Sequence, residues 1–393
     1  MHRNEFNQMP ARVQLTCCLT VLGLILAAGA ERLSGSDSQT QPDGSFDPIS
    51  LKAMEILGVC EKSVDLEALS QSPDAGELAW GESYVLLGYQ AMYEGTGDQR
   101  YLKRLLEHIR RILANRGDRL GLRDEVRGKT MPAWLTSHYT EGKQHAFLVH
   151  AGMITYPMAR LAFVLRRDPQ LASQHGPVIE KILADVAATV KAYEPEYRDG
   201  PGEGEGYYYC PGLRRDMPYN QQNALGRTIV AMYLATGDEW YRRRAEKLAR
   251  YFKERLWLEN GRYVWSYWAH SPGSEDISHA ATNVDFAFDC YRAGIVFTLS
   301  DMKCFVGAFH HVAKPDGFAG NVDGTGHGGI LMGRWGRLGY IDPRVRQVLI
   351  DYLADHGQED SIIALLAAGY LVETQRPFRS EQIVTAATRP VGE

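Results

Sequence analysis

The sequence predicts an all-α chain: an (α/α) toroid of about five to six helix hairpins, with long loops gathered on one cleft face. Three observations predict it. From residue 48 onward apolar residues recur with the period of a helix, and no series of alternating strands appears. One helix-hairpin motif occurs twice, 140 residues apart. Between the periodic segments lie loops rich in Gly, Trp, Tyr, His and Asn, and loops of such length in a compact domain usually carry function.

The repeat is the strongest of the three. Residues 91–104 and 231–244 share the pattern AMYxxTGDxxYxxR. An apolar helix ends at Tyr93 or Tyr233, and Thr-Gly breaks it, glycine being free to take the left-handed conformation of a helix end. Asp98 or Asp238 then caps the next helix, and Tyr101 or Tyr241 packs that helix back on the first. The first helix of each copy is apolar around much of its circumference, as in Ala224–Ala235. The second is amphipathic and charged, as in Glu239–Arg255. That contrast predicts an inner and an outer ring of helices.

Further hairpins follow the same logic. Phe147–Leu165 turns at Arg167-Asp168-Pro169 into a helix near Val178–Tyr193. Ser278–Leu299 turns at Ser300-Asp301 into Met302–Ala313, and Asp342–Asp355 turns at His356-Gly357 into Asp360–Val372. Inner helices are therefore expected near residues 80, 145, 219, 278 and 342, with Pro48–Val59 completing the ring.

Composition bounds the rest. With 45% hydrophobic and 23% charged residues among 393, the chain reads as globular. A net charge of −5 and no basic run longer than Arg242-Arg243-Arg244 argue against a nucleic-acid partner. Residues 1–30 read as a signal peptide or N-terminal anchor: Arg3 and Arg12 flank the apolar run Leu15–Ala28, which is shorter than a membrane span needs. Export to the periplasm or medium is the expectation. Residues 31–47 read as a linker, and 48–393 as the catalytic domain. Cys60, Cys210, Cys290 and Cys304 show no metal-ligand spacing, and neither metal nor cofactor is expected.

The AMYxxTGDxxYxxR hairpins resemble those of the α/α-toroid carbohydrate-active enzymes: six-hairpin glycosidases, uronate-specific polysaccharide lyases, sugar 2-epimerases and glucuronyl C5-epimerases. The resemblance spans most of residues 48–373. It specifies architecture rather than reaction, because the motif is a turn and not a site. It implies a polysaccharide or oligosaccharide substrate, and a site built from the loops that enter the inner helices. Those loops are Glu77–Glu82, Ser137–His145, Gly200–Gln222, Arg262–Asn283 and Gly317–Trp335.

Their side chains supply the candidates. In the Gly200 loop, Tyr207, Tyr208 and Tyr209 cannot all face a core, since neighbours in an extended segment point opposite ways. Arg215 suits a carboxylate, and Asn220, Gln222 and Asn223 open an inner helix. Trp265 and Trp268 are candidate sugar platforms. His279, Asn283 and Phe286 share one helical face, and Asp276 is the expected cap of that helix. His138, Tyr139, Glu141 and His145 surround the second inner-helix start, with His150 about one turn further in, and Arg334 lies in the fifth loop beside Asp323 and His327. His310 and His311 read as structural.

Two reactions compete. Abstraction of a uronate C5 proton, by a lyase or a C5-epimerase, needs a base, an acid and neutralisation of the carboxylate. His279 is the expected base and Tyr208 the acid, with Tyr207 and His150 as further catalytic candidates. Glycoside hydrolysis with inversion needs two carboxylates about 6.5–9.5 Å apart. Glu82, Glu141, Glu203, Glu205, Asp276 and Asp285 are available, with no pair singled out. The Tyr, His, Asn and Arg content favours uronate chemistry. A non-catalytic polysaccharide-binding protein is the third reading.

Overall fold

The computed structural model describes residues 45–210 and 214–378. The expected leader and most of the linker, residues 1–44, lie outside the described residues.

Thirteen helices follow in chain order among the described residues. They are α1 (Pro48–Ser63), the short α2 (Leu66–Ser70) and α3 (Ala75–Glu77), α4 (Ser83–Thr96), α5 (Gln99–Ala114), α6 (Leu148–Arg167) and α7 (Pro169–Ala192). Next come α8 (Tyr219–Thr236), α9 (Glu239–Lys253), α10 (Ile277–Arg292), α11 (Leu299–Val312), α12 (Arg344–His356) and α13 (Ser361–Glu373). A 3-10 segment, Ile330–Tyr340, lies between α11 and α12. Three small antiparallel sheets sit in the loops; the largest joins Tyr197–Asp199, Gly206–Cys210 and Arg215–Asp216.

Both copies of the repeat form the expected hairpin. Gly97 and Gly237 are left-handed (φ 77° and 70°), and their N–H groups close the helices on Tyr93 O and Tyr233 O. Asp98 and Asp238 cap α5 and α9 through the backbone N–H groups of Arg100 and Trp240. Threonine is part of the turn: Thr96 Oγ1 donates to Met92 O and accepts from Asp98 N–H, and Thr236 repeats both contacts.

The inner elements close a ring in the order α4, α6, α8, α10, Ile330–Tyr340, α13 and back to α4. α6 is buried from Leu148 to Arg166. It is apolar and long enough to cross a membrane, yet here it is a core helix of the ring. Some neighbours approach to backbone contact. A side chain at Gly152 would collide with the backbone of Ala224 and Leu225, and one at Gly369 with that of Gly88. The ring's interior is filled by paired charges. Arg227 reaches Asp285 at 3.1 Å, and Arg337 reaches Asp289 at 2.8 Å and the Tyr156 hydroxyl at 3.0 Å.

One expectation reverses. The hairpin near 342 was expected to run inner-then-outer. Instead α12 is outer, the 3-10 segment is the fifth inner element, and α13 is the sixth. The reason is composition: α13 is apolar around its whole circumference, whereas α12 keeps Arg344, Gln347 and Asp351 on a solvated face. The sixth pair joins the two ends of the domain, α13 inside and α1 outside. Arg346 on Asp47 (2.5 Å) and Ser63 on Ser361 (2.8 Å) clasp it.

Candidate active site at the mouth of the ring

The inner helices begin at one mouth, and the loops entering them assemble two groups of side chains. The first surrounds α6. His150 is buried on its first turn, with the rings of Trp80 at 5.5 Å, Phe147 at 5.3 Å and Tyr139 at 5.9 Å. Tyr139 is half exposed and accepts a hydrogen bond from the Trp80 indole. Burial pushes the His150 imidazole down to about 3, so it is neutral, and its Nδ1 has no hydrogen-bond partner.

The second group surrounds α10. Asp276 is its cap: Oδ1 accepts the backbone N–H groups of Ser278 and His279, both at 3.0 Å. Asp276 Oδ2 hydrogen-bonds His279 Nδ1. Burial raises the Asp276 carboxyl, but these hydrogen bonds and the His279 charge outweigh it, leaving it below the usual range. Glu275, one residue earlier, is fully buried, and burial followed by the Asp276 charge pushes its carboxyl well above the usual range. Asn283 Nδ2 points to Glu275 at 3.5 Å, and Asn223 of α8 donates to Asn283 Oδ1 at 2.8 Å. Tyr267 lies 5.1 Å from the His279 ring and packs on Trp268. Arg215 lies 4.5 Å above Trp268, and Gln221 donates to the Tyr267 hydroxyl.

Of the sequence candidates, His279, Asn283, Asn223, Trp268 and Arg215 are brought together here, and Tyr139 and His150 gather at the α6 entrance. Asn220 is buried at the start of α8 with its Oδ1 unpartnered. Glu141 is exposed in a left-handed turn (φ 51°).

The structure moves the others away. Tyr208, expected as the acid, is fully buried with its hydroxyl 3.4 Å from Arg244 of outer helix α9. Tyr207, its strand neighbour, stacks on Tyr251 of the same outer helix at 5.2 Å, so α9 takes up both tyrosines. Trp265, expected as a platform, is fully buried against Phe252, Phe305 and Trp335. Gln222 is spent holding the hairpin, accepting from Tyr208 N–H and donating to Met217 O. Arg334 is buried and donates to Ser278 O at 2.6 Å and Thr282 Oγ1 at 2.9 Å, clamping the 3-10 segment to α10. Asp285 lies deeper, on Arg227; burial raises its carboxyl to about 6 despite that partner.

Trp80, Gln221 and Glu275 escaped the sequence reading. Trp80 was inside a loop marked as functional and had a visible signal, an aromatic side chain at an inner-helix entrance. Glu275 had none, because its neighbour Asp276 already explained the helix start.

No family model matches the chain, and no curated protein does. Solved structures do match. An inactive variant of the α-1,6-mannanase of Salegentibacter sp., in complex with α-1,6-mannotriose, aligns at a TM-score of 0.52 and 13% identity, over 83% of this chain and 98% of that one. The Lin0763 protein of Listeria innocua aligns at 0.52 and 11%, over 84% and 99%. A D-mannose isomerase aligns at 0.48 and 12%, over 75% and 86%. At such identities the likeness is one of fold, and the fold of this chain is the all-α (α/α) toroid.

Proposed function

We propose that this chain is a carbohydrate-active enzyme in which His279, oriented by Asp276, takes a proton from a sugar carbon. The observation that carries this reading is the Asp276–His279 pair at the mouth. The carboxylate holds Nδ1, which leaves Nε2 as the basic nitrogen, and the imidazole sits beside Tyr267 and Trp268. An aromatic face suits the apolar C–H face of a sugar ring. Arg215 over Trp268 is the cation placed to meet a uronate carboxylate. The proton at C5 passes to Nε2. In a lyase the C4–O bond then breaks, forming the 4,5-double bond, and the departing oxygen takes the proton held by the His279 imidazolium. In a C5-epimerase water delivers a proton to the opposite face of C5, and the imidazolium returns its own to solvent. The apolar segment Leu15–Ala28 suits an enzyme that meets its polymer outside the cytoplasm.

A specific observation favours hydrolysis as the second reading: Glu275 and Asp276 are adjacent carboxylates opening an inner helix. The Salegentibacter mannanase was made inactive by replacing two adjacent aspartates. Hydrolysis stands second because Glu275 is fully buried beneath Asp276 and His279. Incubation with uronate polysaccharides and with α-1,6-mannan separates the readings. Ultraviolet absorbance of a 4,5-unsaturated product means lyase, deuterium uptake at C5 without cleavage means epimerase, and new reducing ends without absorbance mean hydrolase. No product on any polymer, with retention of one, would leave a binding protein.

A further inference from the structure

Glu275 poses a physical problem that the proton-transfer reading does not use. Its side chain is fully buried, and its Oε1 has no hydrogen-bond partner. Its Oε2 receives a long contact from Asn283. Among the described residues no Lys or Arg pairs with it. Its ion-pair neighbour is His279, whose Nδ1 lies 3.8 Å from that same unpartnered Oε1. Beside both stands Asp276, a second carboxylate. Two acids and an imidazole thus converge at one point, and the buried member aims an unsatisfied oxygen into it.

One carboxylate oxygen from each acid and His279 Nδ1 all lie within 4.8 Å of one another. A tetrahedral zinc ion bound at about 2.0–2.2 Å holds its donors about 3.4 Å apart, so modest side-chain shifts close the set. We propose that Glu275, Asp276 and His279 form a binding site for a divalent transition-metal cation of the zinc class. The donor set is one imidazole nitrogen and two carboxylate oxygens, which suits such ions. Asp276 keeps its cap through Oδ1 and presents Oδ2. The half-exposed side chains of His279 and Asp276 leave the fourth position open to the mouth. The start of α10 opposes a cation weakly through the helix dipole, and two carboxylates outweigh that.

Asp323 and His327, in the glycine-rich loop, take no part in this set. Asp323 Oδ1 is spent on Thr325, and His327 is exposed on the glycine-rich loop. An ion on His279 Nδ1 also displaces the hydrogen bond to Asp276 and fixes a proton on Nε2. The cation therefore competes with the base assigned under the proposed function.

Titration calorimetry of chelator-treated protein with zinc chloride, without any saccharide, tests the site independently of catalysis. The wild type should take up one equivalent, and its melting temperature should rise with zinc. Glu275→Gln, which keeps shape and removes the charge, and His279→Gln should each weaken binding at least about tenfold. Asp323→Asn should leave it unchanged. Should Glu275→Gln fail to fold by circular dichroism, the exposed-side ligand variant His279→Gln carries the test. Absence of stoichiometric uptake by the wild type, or undiminished binding by the folded variants, overturns the site.

Discussion

Asp276 holds His279 twice: its Oδ1 accepts the backbone N–H of His279 at 3.0 Å, and its Oδ2 accepts from the imidazole Nδ1. One carboxylate thus starts helix α10 and fixes the orientation of the ring that opens the mouth. The two duties separate by mutation. Asn is as good a helix cap as Asp, so Asp276→Asn should change stability by less than about 0.5 kcal/mol. It should nevertheless lower turnover by roughly 10²-fold, because the amide no longer stabilises the charged imidazole. Equal loss of melting temperature and activity would assign Asp276 to the cap alone.

His279→Ala should reduce turnover by roughly 10²–10⁴-fold, the usual contribution of a positioned base. The side chain is half exposed, so the melting temperature should barely move. Full activity in this variant would remove proton abstraction by His279 and advance the hydrolytic reading.

Tyr208→Phe should leave activity intact. Its hydroxyl faces Arg244 on the outer ring, so deletion should cost only about 1 kcal/mol of stability. A loss of turnover with unchanged melting would return Tyr208 to the catalytic set.

His150 predicts acid sensitivity. Burial holds its folded-state value at about 3, against 6.5 in the unfolded chain. A depressed histidine contributes stability that is complete above pH 6.5 and is lost as pH falls toward 3. At about 1.4 kcal/mol for each pH unit, the full effect is on the order of several kcal/mol. The stability of wild type relative to His150→Phe, read from melting curves, should therefore fall steadily as pH is lowered from 7 to 4. Parallel curves would show that His150 does not govern the acid limb.

Two glycines should answer oppositely to alanine. Gly152→Ala forces a methyl into the backbone of α8 and should cost more than about 2 kcal/mol by thermal denaturation. Gly58, within α1, has open space around it, and Gly58→Ala should add about 0.5–1 kcal/mol. A neutral Gly152→Ala would mean that α6 and α8 can separate without loss.

The sequence by itself determined the hairpins, because a hairpin is local. Thr96, Gly97 and Asp98 satisfy their helix ends within six residues, and the same bonds recur at Thr236, Gly237 and Asp238. It also determined that Asp276 caps α10, and it pointed to loop 262–283 as a source of candidate site side chains. Only the tertiary structure decided which of those side chains face the mouth. Trp265 and Trp268 are three residues apart in one loop, yet Trp265 packs between rings and Trp268 lies under Arg215. Tyr207 and Tyr208 both turned toward the outer ring, because α9 offered Tyr251 to one and Arg244 to the other. The pairing of α13 with α1 was likewise beyond local reading, since it joins segments about 300 residues apart. Glu275 shows the limit most plainly. A glutamate reads the same in a sequence whether it lies in water or in a core, and its burial follows from distant segments: its backbone N–H donates to Trp265 O, its backbone O accepts from Val322 N–H, and its side chain meets Asn283.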